Sequence, residues 1–124
     1  MIIGIGIDIV EIDRMAEKVD TSDGFKERVF SKAEIGFCEM KKDKAQHYAA
    51  RFAAKEAFLK ATGKGLLLGY ELCDIEVTSD ESGKPSILLR GSFEAKAKEN
   101  NWNKIHLSMT HVKSTASAVV IIEQ

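Results

Sequence analysis

Proline and cysteine are scarce in this 124-residue chain: one proline, Pro85, and two cysteines, Cys38 and Cys73. The cysteines stand alone, without a CxxC pair or a nearby ligand set, which argues against zinc and against a disulfide framework. Charge of one sign is missing too. The net charge is −1, so no global basic field points to nucleic acid. No apolar run reaches membrane-spanning length, and no basic N-terminal region precedes a cleavable apolar stretch, so a cytoplasmic protein is expected, without a membrane partner. Repeats, low-complexity tracts and linkers are absent. What remains, 44% hydrophobic and 30% charged residues, is ordinary globular composition. A single domain over 1–124 is expected, small enough to gain from oligomerisation.

The opening strand, residues 1–10, ends in the most telling residue, Asp8. Side chains alternate across a strand, so Ile3, Ile5, Ile7 and Ile9 share one face and are expected to form a core stripe. The opposite face reads Gly4, Gly6, Asp8, Val10, nearly bare backbone leading to a carboxylate. Glycine in a strand marks close approach of a ligand or of another backbone. Asp8 can therefore face a bulky ligand, or simply cap the next helix beneath a crowded sheet.

Helical spacing at Ile12, Met15, Ala16 and Val19 predicts a first helix, with Glu11 and Asp13 suited to its N-terminal dipole. A turn over 20–24 leads to a short basic helix from Phe25 to Phe30. Ser31 and Glu34 fit a capping box that starts a helix toward Met40. Residues 41–44 make a charged connection to the long central helix, Lys44 to Thr62, stopped by Gly63 and Gly65. Strands are expected over Tyr70–Thr78 and Ser86–Arg90. A short helix, Phe93–Glu99, follows the cap Ser92, and strands Ile105–Thr110 and Ala116–Ile122 close the chain near His111. Asp74 and Glu76 read as the exposed positions of a half-buried strand. Met15, Met40 and Met109 read as core or near-core fillers, His47 and His106 as surface residues. The fold class is α+β: a mainly antiparallel sheet packed against one long central helix.

On that helix Ala45, Tyr48, Ala49, Phe52 and Leu59 form an apolar stripe, and Glu56 lies in its middle. A carboxylate turned toward a core needs a cationic partner or must shift its pKa. Lys60, one turn on, could supply it as an i,i+4 pair; a divalent cation shared with Asp8 is the alternative. Lys44, Arg51 and Lys55 make a separate basic ridge beside it.

Two carboxylates on rigid elements, Lys60, and the turn Gly63-Lys64-Gly65 together suit a magnesium–polyphosphate site. Magnesium takes few protein oxygens and completes its shell with water and phosphate, while glycine turns let backbone N–H groups approach phosphate oxygens. Two other classes share these features. A magnesium-dependent nuclease or phosphohydrolase should carry a broad basic groove, which the balanced charge disfavours. A non-catalytic phosphate-binding assembly domain could use the same turns for packing.

The segments Gly4-Ile5-Gly6-Ile7-Asp8-Ile9-Val10-Glu11-Ile12, Arg51-Phe52-Ala53-Ala54-Lys55-Glu56-Ala57-Phe58-Leu59-Lys60 and Ser108-Met109-Thr110-His111 resemble the bacterial holo-acyl-carrier-protein synthases of the 4′-phosphopantetheinyl transferase superfamily. The resemblance runs end to end, and the length matches the small homotrimeric branch. It implies that branch's fold, and transfer of 4′-phosphopantetheine from coenzyme A to a serine of apo acyl carrier protein in fatty acid biosynthesis, with magnesium. It implies Asp8 and Glu56 as metal ligands and, with Lys60, as the catalytic set. Lys60 would contact the coenzyme A phosphates, with Arg51, Lys55, Gly63, Lys64 and Gly65 nearby and His111 close to the nucleotide. Arg14, Phe25 and Arg28 would receive the carrier protein. The proton acceptor for the serine stays open between Glu56 and a water, with the water favoured. Where the family usually reads Gly-Thr-Gly after the helix, this chain has Gly63-Lys64-Gly65, which adds a cation and removes a hydroxyl.

Overall fold

A computed structural model describes residues 1–21, 23–63 and 71–124. Strand β1 (Ile2–Glu11) runs straight into helix α1 (Ile12–Asp20), followed by α2 (Phe25–Val29), α3 (Lys32–Glu39) and the long α4 (Lys44–Thr62). After a single 3-10 turn (Leu72–Asp74) come β2 (Ile75–Ser79), β3 (Pro85–Leu89), α5 (Gly91–Glu99), β4 (Lys104–His111) and β5 (Thr115–Glu123). The strands form a three-stranded sheet ordered β1-β5-β4 and a separate β2-β3 hairpin, both antiparallel.

The α+β architecture and the long helix agree with expectation, and so do two helix ends. Ser31 and Glu34 form the capping box of α3. Gly63 takes the left-handed conformation, φ 73°, that ends α4, where a side chain would be strained. Two other boundaries differ. The strand expected from Tyr70 begins at Ile75, residues 71–74 being irregular or 3-10, and Tyr70 lies outside the described residues. Helix α5 starts at Gly91 with no side-chain cap, so Ser92 does not cap it.

The two faces of β1 are used in the opposite way to that expected. Ile3, Ile5, Ile7 and Ile9 point outward, with 39%, 65%, 65% and 66% of their surface exposed. The glycine face is the one that packs. A Cβ on Gly4 would lie 1.9 Å from the Ala61 carbonyl oxygen, and one on Gly6 would lie 1.9 Å from that of Ala57. Because α4 presents Ala57 and Ala61 to Gly4 and Gly6, helix and strand backbones meet directly. Alternation identifies two faces but not which of them a helix will cover.

Helix α4 separates two apolar clusters. One gathers Phe58, Ile75, Phe93, Trp102, Val120 and Ile122, with the Phe58 ring edge-on to Phe93 and Trp102. The other holds Met15, Val19, Phe30, Cys38, Tyr48 and Ala116. Each large side chain fully buried there contributes roughly 1.5–3 kcal/mol. Burial pushes the Cys38 thiol up to about 11, leaving it an inert core residue. Met15 is in the core and Met109 at its edge, whereas Met40 is exposed, because α3 ends there at the surface.

Glu76 is not an exposed strand position. It is 6% exposed and accepts from Arg90 Nε at 2.9 Å. Of the basic ridge on α4, Arg51 and Lys55 are turned inward, while Lys44 stays at the surface beside Glu39. Lys55 is fully buried, donating to Glu34 Oε1 at 2.8 Å, to the Leu72 carbonyl at 3.0 Å and to the Ile75 carbonyl. Glu34 also accepts from Ser31 N and Val77 N, so one buried pair ties α3, α4 and β2 together.

Candidate active site

The strand–helix contact determines what stands opposite Asp8. Two residues along a strand advance about 6.6 Å and four along a helix about 6 Å, so matched steps keep register. Gly4 lies under Ala61 and Gly6 under Ala57, which brings Asp8 opposite the preceding turn of α4, where Glu56 sits. The two carboxylates are thereby placed on one cleft of about 440 Å³, lined also by Glu11, Arg14, Lys18 and Phe52. Ser117 Oγ, on the paired strand β5, donates to the Asp8 carbonyl at 2.8 Å and holds this end of β1.

Lys60 folds back over β1. Its Nζ donates to Asp8 Oδ1 at 2.9 Å and to the Ile7 carbonyl at 3.0 Å. The i,i+4 pair with Glu56 does not form. Glu56 is half-buried and makes no hydrogen bond or ion pair among the described residues. Burial and then the Asp8 charge push its pKa above the ordinary 4.5, opposed by the ammonium groups of Lys60 and Lys18. An unpartnered carboxylate raised in part by a second carboxylate is electrostatically incomplete, and a cation between them would relieve both causes.

The donor set identifies the kind of cation that fits. Two carboxylates facing an open, wettable cleft suit a hard ion such as magnesium, which keeps most of its shell for water and phosphate oxygens. No cluster of three or more His, Cys, Asp or Glu side chains occurs among the described residues, so a closed all-protein cage is not offered there. Asp8 and Glu56 fit the ion expected of them.

The remaining candidates fall into separate places. Lys55, sealed in its pair with Glu34, is not available to a ligand and leaves the candidate set. Arg51 is 4% exposed, stacked on Phe37 at 4.1 Å, with Nε lacking a partner and its pKa lowered by burial. His111 ends β4 and pairs with Ala116, which in turn pairs with Val10. Two strand spacings, roughly 10 Å, therefore separate it from β1. Its charge is felt instead by His47, which is half-buried, set edge-on to Phe37 and depressed in pKa mainly by burial. His106, at the surface as expected, is 2.5 Å from Glu123 Oε1. Gly63 is exposed at the end of α4, and Lys64 and Gly65 lie outside the described residues.

Arg14 lines the cleft from α1. Phe25 packs against Phe30 and Phe52, and Arg28 donates to the Asp23 carbonyl at 2.7 Å on the exposed side of α2. Lys26 turns away toward Glu39. Lys18 and Phe52 were not singled out for the cleft by sequence reasoning. The signal for Lys18 was its position four residues after Arg14, one helical turn along the same face.

The family model of the 4′-phosphopantetheinyl transferase superfamily matches residues 4–120. The holo-acyl-carrier-protein synthase of Treponema denticola is 50% identical over 124 residues, 99% of each chain, and that of Syntrophus aciditrophicus is 45% identical over 99% of this chain and 97% of its own. Among solved structures, the synthase of Neisseria meningitidis superposes with TM-score 0.91 at 30% identity over the whole of both chains. The Bacillus anthracis synthase, solved with CoA (3′,5′-ADP), gives 0.81 at 35% identity over 98% of this chain and 96% of that one. Matched along nearly its whole length in sequence and in fold, this chain belongs to the 4′-phosphopantetheinyl transferase superfamily.

Proposed function

We propose that this protein is a holo-acyl-carrier-protein synthase, an enzyme that transfers 4′-phosphopantetheine from coenzyme A to a serine of apo acyl carrier protein. The observation that carries the reading is the facing pair Asp8 and Glu56 on one cleft, with Lys60 bound to the first and the second unpartnered. The serine oxygen attacks the phosphorus that bears pantetheine, the P–O bond to the nucleotide phosphate breaks, and adenosine 3′,5′-bisphosphate leaves. The serine proton passes to water in the open cleft. Such transfer depends on positioning and charge neutralisation more than on covalent participation by the protein.

Asp8 and Glu56 would hold a magnesium ion, which when bound supplies charge neutralisation at the pyrophosphate. Lys60, fixed by Asp8 and the Ile7 carbonyl, keeps an ammonium beside the leaving group. Arg51, Gly63, Lys64 and Gly65 serve the nucleotide end. Arg14, Phe25 and Arg28 receive the carrier protein on the neighbouring surface.

The active species we infer is a homotrimer of single-domain chains working in the cytoplasm. The support is the bare apolar face of the three-stranded sheet, with Ile5, Ile7 and Ile9 exposed beside the partly exposed Val119 and Ile121. Covering it draws the site's walls from two chains, and lets His111, remote from Asp8 within one chain, serve a neighbouring copy. No described helix is long and apolar enough to cross a membrane.

Mass spectrometry of apo carrier protein incubated with the protein, magnesium and coenzyme A tests the reading. A gain of one phosphopantetheine is expected. No gain with any apo carrier would leave a non-catalytic phosphate-binding domain, and hydrolysis of coenzyme A without transfer would mark a phosphohydrolase.

A further inference from the structure

Two ammonium groups act on Glu56, and they are in different states. Two of the three donors of Lys60 are taken by Asp8 and the Ile7 carbonyl. Lys18, on α1, makes no ion pair among the described residues, although Glu17 and Asp20 are on its own helix. Its Nζ lies 5.5 Å from the centre of the Phe25 ring and 5.9 Å from that of Phe52. Two ring faces attract an ammonium without using its N–H donors as a carboxylate would. The group is thereby drawn toward the rings, and its donors make no hydrogen bond among the described residues. Its charge reaches Glu56, lowering that carboxyl's affinity for a proton, and it lines the cleft with Asp8 and Glu56. Arg14 lines the same cleft. Thr21 Oγ1 donates to the Lys18 carbonyl at 2.8 Å and secures the end of the helix.

We propose that Lys18 is a catalytic residue whose ammonium binds a non-bridging oxygen of the phosphoryl group being transferred, on the side from which the acceptor serine arrives. The inference rests on the transferase reading above. Lys60 is bound to Asp8 and Ile7 on β1, whereas Lys18 lies on α1 at the Phe25 ring, so the two cations reach the Asp8–Glu56 pair from different elements. Charge developing on the phosphoryl oxygens is neutralised from the acceptor side by a donor that no protein carboxylate competes for.

Lys18→Met keeps the length of the side chain between the rings and removes the charge; Lys18→Arg restores it. Coenzyme A carries the transferred phosphate, whereas adenosine 3′,5′-bisphosphate does not, so calorimetry with both ligands locates the contact without needing turnover. Lys18→Met is expected to weaken coenzyme A about tenfold, in line with the loss of one charge-assisted hydrogen bond, and to change the bisphosphate by less than about twofold. It should lower kcat at least about tenfold with carrier KM little changed, and Lys18→Arg should recover most of both losses. Equal weakening of the two nucleotides would mean a structural role and overturn the proposal. Unchanged coenzyme A affinity with a raised carrier KM would make Lys18 a docking cation instead, and would also overturn it. A wild-type protein that loads no carrier, yet shows the selective loss in calorimetry, would refute the transferase reading and leave the Lys18 contact standing.

Discussion

Lys60 binds Asp8, 52 residues away, at 2.9 Å, and not Glu56 one turn before it on the same helix. That choice follows from the side of α4 that meets β1. The ammonium reaches the strand carbonyl of Ile7 and the Asp8 carboxylate together, two acceptors where Glu56 would offer one. It leaves Glu56 without a partner among the described residues, partly buried beside a second carboxylate.

If Glu56 serves a bound cation, Glu56→Gln, which keeps shape and loses charge, should lower kcat by at least about 100-fold, the scale seen when a key electrostatic group is removed. Asp8→Ala should do the same. Circular dichroism of both variants should match the wild type. Near-normal turnover by Glu56→Gln, with no response to magnesium titration, would reduce Glu56 to a packing residue.

The raised pKa of Glu56 makes stability depend on pH in a definite direction. Between the ordinary value of 4.5 and the raised one, the folded protein holds a proton that the unfolded chain has released. Stability therefore falls as pH rises; the contribution is full below 4.5 and is lost through the folded value. Thermal melts from about pH 4 to pH 7 in metal-free buffer should show this slope in the difference between the wild type and Glu56→Gln, the other titrating groups being common to both. Glu56→Gln should also melt higher at the neutral end, and added magnesium should raise the wild type toward it.

The Lys55–Glu34 pair is a structural strut, and its loss should read as instability. Lys55→Met strands the Glu34 carboxylate in the interior, which costs about 3–5 kcal/mol. Urea unfolding should show a lowered midpoint. Coenzyme A affinity of the fraction that remains folded should be unchanged, since Lys55 touches no cleft. A stable Lys55→Met protein with weakened coenzyme A binding would return Lys55 to the ligand set.

Assembly is open to a direct test. Light scattering should give three times the 13.7 kDa chain mass across a dilution series. Ile5→Glu with Ile7→Glu should give monomers, because charge is then placed on the apolar sheet face that neighbours must cover. An active wild-type monomer at every concentration would overturn the homotrimer.

The sequence alone determined the α4 span, the capping box at Ser31 and Glu34 and the glycine stop at Gly63, and it singled out Asp8 and Glu56 as candidates. These are local: propensity, caps and periodicity act within a few residues, and a carboxylate in an apolar stripe is visible without coordinates. The resemblance of the segments around Asp8, Glu56 and His111 placed the chain in its family for the same reason, since each motif is contiguous. Only the tertiary structure decided which face of β1 is buried. Both faces alternate correctly, and the outcome depended on alanines of α4 meeting Gly4 and Gly6 at backbone distance. The partners of the charged side chains were decided there as well. Lys55 pairs with Glu34 across 21 residues and Lys60 with Asp8 across 52, while Lys18 settles between two rings. A long flexible side chain can reach many acceptors, and its charge and spacing cannot single out the one that folding brings within 3 Å.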